Sequence, residues 1–180
     1  MKQISIVTLI ILAYTCITPL FAQQDDFIEQ YVERLENSRT YLLLVAELMP
    51  ADKYSFKATP ESKSFAENLM HIGWAMDWHS QSLLGGREAR DWKTDMKLRV
   101  AQKSKAEMMA AIDKTFDATI ALITTFDVTK LNVKLDYLGL NRTKRQILLL
   151  LTDHITHHRA QMLVYLRLND IAPPRYILYQ

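Results

Sequence analysis

The sequence predicts an all-α protein, a four-helix bundle with long linkers. Three observations carry that prediction. Four segments repeat apolar residues at alternating steps of three and four, the period of a helix that buries one face. Glycine is scarce, with four residues in 180 and none before Gly73, so the chain has few natural breaks. Start and stop signals fall at the edges of the periodic segments.

The first helix is expected over residues 27–49. Its stripe is Ile28, Tyr31, Leu35, Ser38, Leu42, Val45 and Met49, with Asp26 and Glu29 as a capping pair and Pro50 as the stop. The second is expected over residues 60–84, capped by Thr59 with Pro60 in the first helical position, where no amide donor is needed. Its stripe includes Phe65, Leu69, Ile72, Met76 and Leu83, and Gly85-Gly86 stops it. The third opens on the capping box Ser104-Lys105-Ala106-Glu107 and continues through Met108, Ile112, Thr115, Thr119, Leu122 and Phe126. The fourth opens on a second box, Thr143-Lys144-Arg145-Gln146, and runs to about Leu168, with Pro173-Pro174 beyond it. The linkers are residues 50–59, 85–103 and 127–142. In the last of these, Leu131, Val133, Leu135 and Tyr137 alternate as a short extended stretch would. Linkers of this length do not force a simple up-down-up-down order.

Residues 1–22 stand apart from this domain. Lys2 gives a basic start, residues 4–17 are apolar and uncharged, and Ala22 precedes Gln23-Gln24-Asp25-Asp26. That order predicts a secretory leader cleaved after Ala22, export to the periplasm, and a domain over residues 23–180. The apolar run is shorter than the roughly 20 residues of a spanning helix, so no permanent membrane anchor is expected after cleavage. Cys16, the only cysteine, lies in the leader; without it, disulfides, thiolate ligands and a cysteine nucleophile are excluded. Loss of the leader removes Lys2 and no acid, leaving 21 basic against 20 acidic residues, a balance that gives no footprint for nucleic acid.

The chemistry is concentrated in Thr152-Asp153-His154-Ile155-Thr156-His157-His158-Arg159-Ala160-Gln161. The stripe Ile147, Leu151, His154, His158, Gln161, Tyr165, Leu168 keeps helical spacing, so His154 and His158 are expected in the interior, one turn apart on one face. Two buried imidazoles need partners, and a metal ion satisfies the acceptor nitrogens of both at once. The plainer reading is a pair of core histidines satisfied by hydrogen bonds. His157 points off this face. On the second helix, His79 continues the line of Ile72 and Met76, while His71 lies with Asn68, Ala75 and Trp78; spacing does not choose between them as a third ligand. Glu67, one turn before His71, is a candidate fourth ligand or a surface charge. Asp77 and Asp153 are candidates to orient imidazoles or surface charges. Trp74, Trp78 and Trp92 are read as packing residues, with a substrate platform as the alternative. No His-Glu-x-x-His, Glu-x-x-His or glycine-rich phosphate loop is present.

These residues resemble the DinB-like (DinB/YfiT) superfamily of bacterial four-helix metal proteins. The likeness rests on Phe56-Lys57-Ala58-Thr59-Pro60-Glu61 leading into Asn68-Leu69-Met70-His71-Ile72, and on His154-x-x-His157-His158-Arg159-Ala160-Gln161. It also rests on the ending Tyr165-Leu166-Arg167-Leu168 with Pro173-Pro174-Arg175-Tyr176. Ala160 stands where the family often has glycine. The resemblance implies one divalent metal ion, zinc or nickel first and iron or manganese next, held by His71, His154 and His158. It also implies thiol S-transfer or thiol-dependent isomerisation among the reactions of its members. Two function classes follow: a metal-dependent hydrolase or transferase acting on a small molecule, and a non-catalytic metal-binding bundle, as a homodimer, whose ion is structural or stored. The occupant of the fourth coordination position separates them.

Overall fold

The computed structural model describes the backbone of residues 6–91, 93 and 96–177, and side chains from residue 26 onward. The side chains of the expected leader and all of Trp92 lie outside the described residues. The elements are α1 (Ile6–Leu48), α2 (Phe65–Asp77) continued by a π-helical segment (Trp78–Leu84), and α3 (Lys105–Thr124). A hairpin of β1 (Lys134–Tyr137) and β2 (Leu140–Thr143) follows, and then α4 (Lys144–Leu168). Among the described residues no helix is long and apolar enough to cross a membrane.

α1 packs on α3 and α4, and α2 packs on the same two helices, so α1 and α2 face each other across the bundle. All seven residues of the predicted α1 stripe are buried. Each large apolar side chain so buried stabilises the fold by roughly 1.5–3 kcal/mol. Polar ties fix the pairing: the Tyr31 hydroxyl donates to the Leu148 carbonyl at 2.6 Å, and Arg39 bridges to Asp113 at 2.6 Å and Asp117 at 2.8 Å. Because α1 is helical upstream of Asp26, Asp26 and Glu29 do not cap its start.

The two predicted boxes of α3 and α4 are formed, with Ser104 and Thr143 each exchanging bonds with the residue three ahead. α2 has the same device in an unexpected place. Ser64, not Thr59, is its cap: the Glu67 amide donates to Ser64 Oγ at 3.1 Å, and the Ser64 amide donates to a Glu67 carboxylate oxygen at 2.6 Å. Thr59 and Ser62 instead close a turn ahead of it, Pro60 lies in that turn, and the box wins because it satisfies two orphan donors reciprocally. The extended stretch expected in the last linker is half of a hairpin, paired from Lys134↔Thr143 to Tyr137↔Leu140. Leu138 and Gly139 both take positive φ, 55° and 82°, as a two-residue hairpin turn requires.

Candidate metal centre

α2 and α4 lie side by side, and the site sits on their seam. The buried line of α4 runs through Leu148, Leu151, Ile155, Met162 and Leu166. The buried face also keeps Ile147, Leu151, His158 and Tyr165 of the expected stripe, but its centre is shifted, and Leu168 at the end is 56 % exposed. The apolar Ile155 and Met162 take the centre of the face, and the polar His154 and Gln161 move to its edge. His158 remains buried, while His154 and His71 are half-buried.

His71, His154 and His158 each offer a ring nitrogen, and the three atoms lie within 4.8 Å of one another. The ring centroids are 4.6–5.0 Å apart. His79 stays outside the group. Its Nδ1 hydrogen donates to the Ala75 carbonyl at 2.6 Å, which leaves Nε2 to accept from the Tyr137 hydroxyl at 3.0 Å. α2 and the hairpin thus satisfy both ring nitrogens of His79, and it is His71 that the structure brings together with His154 and His158.

The tautomer of His158 is set by Asn68, which is fully buried. The Asn68 amide nitrogen donates to the carbonyls of Lys63 and Ser64 at 3.2 and 3.0 Å, so its oxygen faces His158 as an acceptor. His158 Nδ1 must donate to it, at 2.8 Å, and the lone pair of Nε2 is left for the cluster. Asn68 was visible in sequence only as a neighbour of His71 on its line. Its signal is an uncharged polar residue one turn before a candidate ligand. The two aspartates considered for this role do not fill it. Asp77 is held by Arg87, at 3.2 Å to Nη1 and by a shorter contact to Nη2, and by Arg90 at 3.1 Å, and Asp153 is exposed.

Glu67 does not complete the cluster. Its carboxylate caps α2 and pairs with Lys57 at 3.4 Å. His157 is exposed and accepts from the Gln161 amide at 2.9 Å. Trp74 stacks on His71 at 5.9 Å and on Trp78 at 5.9 Å, a ladder along one face of α2. A cavity of about 700 Å³ opens beside His71 and Trp74, and the 85–103 linker forms its far wall through Leu98, Arg99 and Val100. That wall comes close because Gly73 has no side chain: a Cβ there would stand 2.6 Å from an Ile112 methyl and 3.3 Å from Leu98.

Electrostatics keep the imidazoles neutral. Burial, followed by the neighbouring His71, holds His154 down to about 4 and His158 down to about 3. Burial also lowers His71, with the charge of Lys63 adding to it. Neutral rings present lone pairs to a cation at pH 7. The buried Nε2 of His154 has no hydrogen-bond partner. An unpartnered buried ring nitrogen among three convergent imidazoles fits a divalent ion better than a hydrogen-bonded core pair.

A four-helix bundle with a trio of histidines on the α2–α4 seam defines a class of site. The chain belongs to the DinB superfamily, whose family model matches residues 34–162. Solved structures agree on the fold. A DinB-like protein from Bacillus subtilis is 22% identical, with a TM-score of 0.67 over 84% of this chain and 99% of that one. A DinB-like protein from Bacillus cereus ATCC 10987 is 18% identical, with a TM-score of 0.65 over 84% and 96%. No curated protein sequence matches the chain.

Proposed function

We propose that this chain is an exported metal-dependent enzyme, a hydrolase or transferase, whose single divalent ion is held by His71, His154 and His158. The observation that carries the reading is the set of three ring nitrogens no more than 4.8 Å apart, beside which the buried Nε2 of His154 has no partner. Neutral imidazole donors suit zinc or nickel first, and iron or manganese next. The bound ion would supply Lewis acidity to an oxygen atom beside it. The chain's own residues do the rest: Asn68 orients His158, the start of α2 keeps Glu67 away, and the cavity beside His71 admits a small molecule. Three protein ligands with an open side describe catalytic rather than structural sites. The leader motif supports export to the periplasm. Because small thiol cofactors are mainly cytosolic, hydrolysis is the first class to test and thiol transfer the second.

Elemental analysis of protein purified without chelator tests the metal: about one divalent ion per chain is expected. Metal-free protein overturns the reading. X-ray absorption then counts the ligands; a fourth protein ligand would favour a non-catalytic, stored or structural ion. Ester, amide and thiol-transfer substrates screened with the native ion test the reaction. Amino-terminal sequencing of the periplasmic fraction, starting at Gln23, tests export.

A further inference from the structure

Lys63 stands immediately before the cap of α2, and its main chain is held from both sides of the seam. Its carbonyl accepts from the Asn68 amide at 3.2 Å and from the Tyr165 hydroxyl of α4 at 2.8 Å. The lysine side chain is exposed and lines the same cavity as His71. The neighbouring Lys57 is neutralised by Glu67 at 3.4 Å, and Arg99 is engaged in another interaction. Among the described residues no carboxylate lies within ion-pair distance of Lys63.

A bound carboxylate would supply the Lys63 ammonium with a counter-ion inside the cavity. The rest of the lining is mixed: Met70, Trp74, Leu98 and Val100 give an apolar side, and Glu61, Ser62 and the Lys57-paired Glu67 stand at the polar side. A single ammonium is a point charge that suits one carboxylate, whereas dianionic phosphate is more often gripped by guanidinium forks or backbone nests.

We propose that the cavity between the start of α2 and the 85–103 linker is the substrate site, and that it takes a small organic carboxylate. The carboxylate lies between Lys63 and the histidine cluster, and the apolar body lies on Trp74, Met70 and Leu98. The proposal rests on the metal reading only for the partner that Lys63 faces; the cavity, the lysine and the apolar wall stand without it.

The test is calorimetric titration of the mature, metal-loaded protein with benzoate, phenylacetate and 3-phenylpropionate, with phenylacetamide as the neutral control. Saturable binding of at least one carboxylate is expected, with the amide weaker by about tenfold or more. Lys63→Gln should weaken carboxylate binding by a similar factor, Lys63→Glu should abolish it and Lys63→Arg should retain most of it. Lys57→Gln should change it less than about twofold, since that ammonium is already paired. The Lys63 side chain is exposed, so circular dichroism should report folded variants. Equal binding of amide and carboxylate, binding indifferent to Lys63→Gln, or no saturable binding of any of the three carboxylates overturns the proposal. Metal content is measured on every sample. Protein that carries no ion but still binds carboxylate through Lys63 overturns the metal reading and leaves the cavity assignment standing.

Discussion

Asn68 accepts the Nδ1 proton of His158 at 2.8 Å, and this one bond decides which nitrogen of His158 faces the other two histidines. The donor side of the same amide is used on the Lys63 and Ser64 carbonyls, so the group has no freedom to reverse. Asn68→Ala should therefore weaken metal binding by about 10–100-fold while leaving all three histidines in place. Competition against a chromophoric chelator measures this. An unchanged affinity would show that His158 is oriented by something else.

The three histidines should behave unlike the other two. His71→Ala, His154→Ala or His158→Ala should each abolish stoichiometric metal loading, whereas His79→Ala and His157→Ala should retain it. His79 is saturated by Ala75 and Tyr137, so its loss should instead lower stability, by about 1–3 kcal/mol for the partners left unsatisfied. Elemental analysis and urea melts separate the two effects. Loss of the ion in His79→Ala with retention in His71→Ala would transfer the third ligand to His79.

Acid should destabilise the metal-free protein over a defined window. The ordinary imidazole value is 6.5, and the folded protein holds His154 at about 4 and His158 at about 3. Between these values the unfolded chain binds protons that the folded chain does not, so stability rises with pH there and falls as pH drops. Above about 6.5 these rings contribute no pH dependence. Thermal melts from pH 7 to pH 4 should show a declining midpoint, with a shallower decline in the His154→Ala, His158→Ala double variant. Identical slopes would mean that other groups dominate.

The start of α2 should be separable from the metal. Ser64→Ala removes a helix cap and should cost about 1 kcal/mol. Glu67→Gln keeps an acceptor in the box and should leave both stability and metal content nearly unchanged. A fall in metal content in Glu67→Gln would restore that residue as a ligand.

Much of this architecture is legible in the sequence because it is written in local rules. The α1 stripe from Ile28 to Met49 is buried at every position, and the Ser104 and Thr143 boxes start α3 and α4 where capping chemistry places them. The α4 face was harder to read. Two nearly parallel stripes run along that helix, and the competition between Leu151–His154–His158 and Leu151–Ile155–Met162 is settled by packing against α1 and α2. Rotation toward the second stripe moved His154 to the seam's edge, where it faces His71. The start of α2 differs from the expected one because Thr59-Pro60 and Ser64-Phe65-Ala66-Glu67 both carry start signals, and the reciprocal Ser64–Glu67 bonds together with those of Phe65 and Ala66 to residues 54–56 favour the second. The roles of Asn68 and Lys63 are not legible in the sequence, because they depend on a partner 90 residues away and on a cavity wall.

The π-helical segment Trp78–Leu84 bears on how the second helix can change length. A π turn carries about one more residue than an α turn, so the segment acts as a phase correction. Upstream, the His71 face points to α4. Within the segment, Ser80 faces α3, where its hydroxyl meets Thr119 at 3.0 Å, and His79 faces the hairpin. A one-residue deletion between 81 and 83 would turn the residues that follow by about 100° around the helix and carry Leu84 out of its buried position. The number of residues in this segment is thus under the same structural constraint as their identity.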